Sequence, residues 1–158
     1  KIRRLLNMDN NQLKEQILLL VPEAEFQDNK QFLDITVPSE KFYFIAKHLK
    51  EDEHLSFDYL DNLTGVDWKT HLGTVYHLTS TKHKHAIVIK TKVADRENPE
   101  LDSVCNLWHS AEFNEREVYD LFGIKFRNHP DLRRILLTDD WNGYPLRKDY
   151  IDTHITER

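Results

Sequence analysis

Four groups of side chains in this sequence have the types and spacing that chemistry needs. Glu115 and Glu117 flank Arg116 and suggest an acid/base pair or half of a metal site. Residues two apart on a helix point about 200° apart, so these carboxylates cannot converge on one atom. Glu112 with Arg116, and Arg116 with Asp120, stand at i,i+4, and an intrahelical charge ladder is the simpler expectation. Exposed pairs of that kind contribute only about 0.3–0.5 kcal/mol each, too little to explain why so many charges crowd one helix. His77, His83 and His85, with His71 nearby, form the second group. On a strand His83 and His85 share a face, as a zinc ion requires, yet Lys82 and Lys84 beside them oppose a cation, and a solvated hairpin tip is expected.

Cys105 and His109, at i,i+4, are the minimum for a thiolate-imidazole pair on a helix. A cysteine at an apolar helical position packs as a small hydrophobe, and no orienting group or oxyanion donor accompanies it in the local sequence. His129 and Asp131 bracket Pro130 as a possible acid/base couple. With no nucleophile or metal ligand nearby, a turn-stabilising Asp beside a hydrogen-bonded His is the better reading.

The elements that must position these groups follow from periodicity. Leu13, Ile17 and Leu20 behind polar Asp9-Asn10-Asn11 predict a helix over residues 9–20, stopped by Pro22. Residues 25–27 and 31–37 read as strands joined by a tight turn at Asp28-Asn29-Lys30. Phe42, Ile45, Ala46 and Leu49 predict a second helix after Pro38-Ser39, covering the sheet. Strands are expected at 57–67, 73–80 and 86–93. Asn98-Pro99 looks like a cap and first turn, predicting a helix that carries Leu101, Val104, Cys105 and Trp108. A last helix over 111–122 sets Val118, Leu121 and Phe122 on one face, with Gly123 as its stop. The order implies an α+β fold of two layers, with helices packed on a mixed or antiparallel sheet of about five strands and an extended C-terminal tail.

The chain has 158 residues, 39% hydrophobic and 31% charged, which suits one globular domain with its own core. No apolar run reaches the length of a membrane span and no leader opens the sequence, so neither secretion nor insertion is expected. One cysteine excludes an internal disulfide and a four-thiolate zinc or iron-sulfur site. A net charge of -5, with bases interspersed among acids, argues against nucleic acid. The four glycines lie too far apart for any glycine-rich phosphate loop.

The densest stretch is Glu115 to Tyr150. It contains Glu115-Arg116-Glu117, Tyr119-Asp120, Phe122-Gly123-Ile124, Phe126, then His129-Pro130-Asp131-Leu132-Arg133-Arg134-Ile135-Leu136, then Trp141, Gly143 and Pro145-Leu146-Arg147-Lys148-Asp149-Tyr150. In that order these blocks resemble the signature of the C-subunit family (the 30-kilodalton subunit) of respiratory complex I, the NADH:quinone oxidoreductase. The likeness extends back through Val66-Asp67, Val75-Tyr76-His77-Leu78 and Ser103-Val104, covering residues 63 to 150. Glu112-Phe113 departs from the family's usual Asn-Trp, and Asp102 from its common Pro.

The resemblance implies a peripheral-arm subunit with no catalytic, cofactor or metal residues of its own, in a complex whose FMN, iron-sulfur clusters and quinone sit on other subunits. Its implied partner is chiefly the D-subunit homologue, with membrane contact only through the complex. Its implied location is the cytoplasmic face of a bacterial inner membrane, or the matrix side in a mitochondrion. The equivalent subunit of a membrane-bound hydrogenase-type complex is the alternative; a free-standing metal-dependent hydrolase is the competing class. The candidate signature and interface residues are Glu115, Arg116, Glu117, Tyr119, Asp120, His129, Pro130, Asp131, Arg133, Arg134, Trp141, Pro145, Arg147, Lys148 and Tyr150. Residues 1–137 are expected to form the domain and 138–158 an extended, partner-binding tail. A strap lying back across its own sheet is the alternative for that tail, and Arg133 and Arg134 serve either as interface contacts or as internal clamps.

Overall fold

The computed structural model describes residues 9–27 and 31–152. Helix α1 (Asn10–Leu20) starts with a capping box, in which Asp9 accepts the backbone N–H of Gln12 while the Gln12 side chain accepts that of Asp9. Strands β1 (Glu25–Gln27) and β2 (Leu33–Pro38) pair antiparallel as the sequence predicts, and the intervening turn at 28–30 lies outside the described residues. Helix α2 (Ser39–Glu51) buries Phe42, Ile45, Ala46 and Leu49, the four residues its period selects. Full burial of an Ile, Leu or Phe side chain is worth about 1.5–3 kcal/mol, so this face alone fixes the helix on the sheet.

Strands β3 (Tyr59–Asp67), β4 (Leu72–Ser80) and β5 (His85–Lys92) form an antiparallel meander. Strand β2 joins β5 in parallel, giving a five-stranded mixed sheet of order β1-β2-β5-β4-β3. The α+β layering is as expected. The main core lies between this sheet and α1 and α2, with Ile35, Tyr76, Leu78, Ile87 and Ile89 facing Leu13, Ile17, Phe42 and Leu49.

The segment after Asn98 departs from expectation. Glu100–Asp102 is a strand, β6, paired in parallel with β7 (Lys125–Arg127), rather than the first turn of a helix. The spacing of Leu101, Val104, Cys105 and Trp108 imitates a helical face, but Ser103 donates its N–H to the Arg127 carbonyl and Val104 donates to a side chain of the last helix. Those distant partners take the amides that a helix would use. Helix α3 (Ala111–Phe122) ends at Gly123, whose φ of 75° supplies the left-handed stop and whose N–H returns to the Tyr119 carbonyl. Helix α3 packs on β3, where Gly65 leaves room for the Phe122 ring; a Cβ there would stand 2.5 Å from it. With Leu72, Val93, Leu101, Ile124 and Phe126, Val118 and Phe122 make a second, smaller core.

Candidate functional site

Helix α3 carries the charged run, and the run is not a ladder. Glu115 is fully buried and Glu117 exposed, diverging as helix geometry demands. Arg116 donates through Nε to the Arg133 carbonyl and through Nη2 to the Arg134 carbonyl, both at 3.1 Å. Asp120 faces inward to the segment beyond β7. Its Oδ2 accepts the N–H groups of Ile135, Leu136 and Leu137 at 3.1, 2.7 and 2.9 Å, and its Oδ1 accepts Arg134 Nη1 at 2.8 Å. The expected Glu112–Arg116 and Arg116–Asp120 pairs give way to these bonds because a buried guanidinium and a buried carboxylate need several partners, which one neighbour on the same helix cannot supply. Burial pushes the Asp120 carboxyl up, but the three amides and Arg134 together hold it below the usual carboxylate range.

Glu115 lies among a different set. Its Oε1 accepts the Val104 N–H at 2.8 Å and its Oε2 the Cys105 thiol at 3.2 Å. His129 Nε2 stands 4.0 Å from the same Oε2. Desolvation raises the Glu115 carboxyl, against the pull of these donors, and burial pushes the Cys105 thiol to about 12. Cys105 therefore pairs with Glu115, ten residues on, and not with His109. That pairing has no local signal, because it crosses from the β6 loop to α3.

Ligand atoms of Cys105, Glu115 and His129 lie within 4.8 Å of one another, the spacing of a metal site. Both His129 ring nitrogens and the Cys105 thiol proton are otherwise engaged. His129 Nδ1 accepts the Asp131 N–H at 3.0 Å, so the ring proton is on Nε2, which donates to the Glu112 carbonyl at 3.0 Å. A metal would have to displace that proton and a thiol proton held to about pH 12. As arranged, the three side chains tie together the β6 loop, α3 and the 129–131 turn. Asp131 contributes to that turn through its N–H, while its carboxylate pairs with exposed Arg133 at 2.8 Å.

The histidines of the β4–β5 turn are not solvated. His83 and His85 are both buried and stack with ring centroids 5.7 Å apart, and their Nε2 atoms meet the carbonyls of Glu53 and Leu55 at 2.8 and 2.9 Å. The turn folds down onto the α2–β3 connection, where the two imidazoles meet backbone carbonyls and Lys82 Nζ also donates to that of Glu53 at 3.3 Å.

The segment after Leu137 is held at several points. Arg134 Nη2 reaches the carbonyls of Trp141 and Gly143 at 3.1 Å each, and its guanidinium lies 5.3 Å from the Tyr144 ring centre. Tyr144 packs over Gly123, where a Cβ would stand 2.6 Å from the ring, and Tyr150 packs on Gly143. Asp67, at the end of β3, forms the far anchor. It takes Arg96 through both oxygens at 2.6 and 2.9 Å and accepts the Lys148 N–H at 2.9 Å. The Arg96 guanidinium holds the Asp67 carboxyl far below its ordinary value. Asp149, paired with Arg147 and Arg96, is drawn down to about 2. Arg147 also donates to the Arg96 carbonyl at 2.8 Å. Of the candidate residues, Asp120 and Arg134 are brought together, as are Glu115 and His129. Arg147 and Lys148 meet at the Asp67 anchor, and Arg133 and Glu117 remain at the surface. Arg96 had no sequence signal at all.

The family profile described as respiratory-chain NADH dehydrogenase, 30 Kd subunit, matches residues 35–155. The chain belongs to this family. It is 39% identical over 150 residues to the C subunit of the NADH-quinone oxidoreductase of Roseiflexus sp. (strain RS-1), an alignment covering 90% of this chain and 84% of that protein. It is 52% identical over 117 residues to the C/D subunit of the NADH-quinone oxidoreductase of Phocaeicola vulgatus, covering 73% of this chain but only 22% of that protein. Against the C subunit of the Chloroherpeton thalassium enzyme, 49% identical over 108 residues, the matched part is 67% of this chain and 45% of that protein. The chain thus spans well under half of some relatives. Among solved structures, a chain of the membrane-bound sulfane sulfur reductase, an archaeal respiratory membrane complex, shares the fold with a TM-score of 0.74 and 28% identity, covering 89% of this chain and 85% of that one. Among the described residues no helix is long and apolar enough to cross a membrane.

Proposed function

We propose that this chain is an accessory, cofactor-free subunit of the peripheral arm of a proton-translocating NADH:quinone oxidoreductase, positioned on the cytoplasmic face of the membrane, or the matrix side in a mitochondrion. The observation that carries this reading is the near full-length match to a relative named as the C subunit of that enzyme. Its work is positional: a rigid body that holds its neighbours at a fixed separation, while FMN, iron-sulfur clusters and quinone sit on other subunits.

The chemistry of the densest charged cluster supports a structural role. Glu115, Asp120, Cys105, Arg134 and His129 each spend their donors or acceptors on other parts of the same chain. A general base or nucleophile works best when its reacting atom faces a substrate, and here Glu115, Cys105 and Asp120 are buried and bonded to other parts of the chain.

The partner we assign is the D-subunit homologue. Relatives named as a C/D subunit carry both parts in one protein, which holds the two at high effective concentration and needs only a modest mutual interface. Deleting the gene should abolish NADH-driven quinone reduction by membranes, and expression of the chain in trans should restore it. Undiminished activity in the deletion strain contradicts the proposal.

A second reading has its own support. The structural neighbour from the archaeal sulfane sulfur reductase comes from a respiratory complex whose name includes no NADH. The equivalent subunit of a related membrane-bound complex, such as one of hydrogenase type, keeps the same positional role with a different electron donor. NADH as donor to the purified complex separates the two.

A further inference from the structure

The β4–β5 turn and the α2–β3 connection meet through four side chains of the turn. Asp58 accepts the Thr81 N–H at 2.8 Å and the Thr81 hydroxyl as well. Lys82 Nζ and His83 Nε2 both meet the Glu53 carbonyl, at 3.3 and 2.8 Å, and His85 Nε2 meets the Leu55 carbonyl at 2.9 Å. A carbonyl only accepts, so each neutral ring carries its proton on Nε2. That leaves Nδ1 of His85 with a lone pair, and this atom is buried with no hydrogen-bond partner. The His85 ring lies 4.7 Å, centre to centre, from that of Phe57, which is fully buried in the main core.

We propose that the turn is a proton-released latch, closed on the α2–β3 connection while His85 is neutral and lifted from it when that ring takes up a second proton. The added proton goes to Nδ1, where it would form a buried N–H with no acceptor, beside the His83 ring stacked 5.7 Å away. The charged groups around the ring give no relief. On the same turn Lys82 and Lys84 are cations. Across from it, Asp58 is taken by Thr81 and also feels the Lys84 charge, while Asp52 caps the N–H groups of His54 and Leu55 and reaches His48 at 3.7 Å. The Glu53 and His54 side chains are exposed, and on β3 Asp61 accepts the Thr79 hydroxyl at 2.6 Å. Among the described residues no carboxylate pairs with either imidazole, and burial lowers the His85 pKa accordingly.

The backbone on both sides is strained while the latch is closed. Ser56 in the connection and Lys84 in the turn stand at φ 44° and 60°, a left-handed conformation that such residues keep only while their surroundings hold it. Once the imidazole bonds break, both relax, and the Lys84 N–H loses the Ser80 carbonyl that it meets at 2.9 Å. An open turn binds the proton with the ordinary imidazole value of about 6.5 and the closed turn less readily, so opening grows as pH falls through that value. One proton gained only on opening multiplies the open population at most about tenfold between about pH 7.5 and about pH 5.5. The α3 knot stays closed over that range, because the Asp120 carboxyl lies below its ordinary value and remains ionised.

Amide hydrogen exchange of the full chain, followed by NMR at those two pH values and corrected for the intrinsic pH dependence of exchange, tests the latch. Protection of the His83 and Lys84 amides should fall about fivefold to tenfold on acidification and stay insensitive to low urea, as local opening requires. His85→Gln keeps a donor for the Leu55 carbonyl but has no second proton to take, and should abolish that fall. Should this variant not fold, the ring signals of His85 in the parent give the second reading. The ring should stay neutral for as long as the turn amides are protected. Protection that is unchanged by pH, a fall that appears only with urea, or a fall that persists in His85→Gln overturns the latch. So does a His85 ring that takes its second proton while the turn amides remain protected.

Discussion

Asp120 accepts the backbone N–H of Leu136 at 2.7 Å, and with it the amides on either side. A single carboxylate on α3 thus fixes the path of the strap, and Arg134 closes the same knot from the strap side. Asp120→Ala would strand three amides and a guanidinium at once. We expect a loss of about 3–5 kcal/mol in denaturant unfolding, the range for removing one partner of a buried ion pair. Because the folded state lowers the Asp120 carboxyl, its contribution is full above the ordinary carboxylate value and disappears as pH falls through the lowered one. A change under about 1 kcal/mol, within the range of an exposed surface pair, would contradict the anchor.

Arg133 and Arg134 are neighbours with opposite expectations. Arg134 reaches Asp120 and the carbonyls of Trp141 and Gly143, whereas Arg133 pairs only with exposed Asp131 among the described residues, its own side chain 68% exposed. Arg134→Ala should therefore destabilise the free chain strongly, while Arg133→Ala changes stability by less than about 1 kcal/mol. Thermal melting of the two variants decides it; equal effects contradict the assignment.

His85 makes a pH-dependent contribution. Burial lowers its pKa, the Leu55 carbonyl acts the other way, and the His83 ring 5.7 Å away adds to the lowering; Lys82 and Lys84 on the same turn bring further positive charge. The folded chain thus binds this proton less readily than the unfolded one. Stability is full above the unfolded value of about 6.5 and declines as pH falls through it, levelling off below the lowered folded value. His85→Gln keeps a donor for the Leu55 carbonyl and should flatten the stability profile between about pH 7 and pH 5. An unchanged slope contradicts the reading.

The Cys105–Glu115–His129 knot predicts a chain without stoichiometric zinc, iron or flavin and with a sluggish thiol, since burial holds Cys105 at about 12. Elemental analysis, a visible spectrum and thiol titration check this together. One tightly bound metal per chain, or a native thiol that reacts as fast as the denatured one, contradicts it.

Periodicity in the sequence was enough to place α2, the β3–β5 meander and the stop at Gly123, because each depends on neighbours in the chain. The segment from Asn98 failed for the opposite reason. Its amides go to Arg127 and Glu115, and nothing in residues 98–108 announces partners that far away. The charged run of α3 failed likewise. An i,i+4 pattern states which residues can meet on one helix, and burial then gave Arg116 and Asp120 to the strap. The signature blocks identified the family without revealing which of their residues are spent internally. Arg96 carried no signal, although Asp67, its partner, stood within the resemblance.

The central claim, a cofactor-free positional subunit of an NADH:quinone oxidoreductase, is tested most directly by tagging the chain in its host and solubilising membranes in a mild detergent. The polypeptides that co-purify are then identified and the preparation assayed with NADH and a quinone. The account predicts stoichiometric recovery of the D-subunit homologue together with NADH-dependent quinone reduction. Recovery of the chain alone, or of a complex that reduces no quinone from NADH, would contradict it.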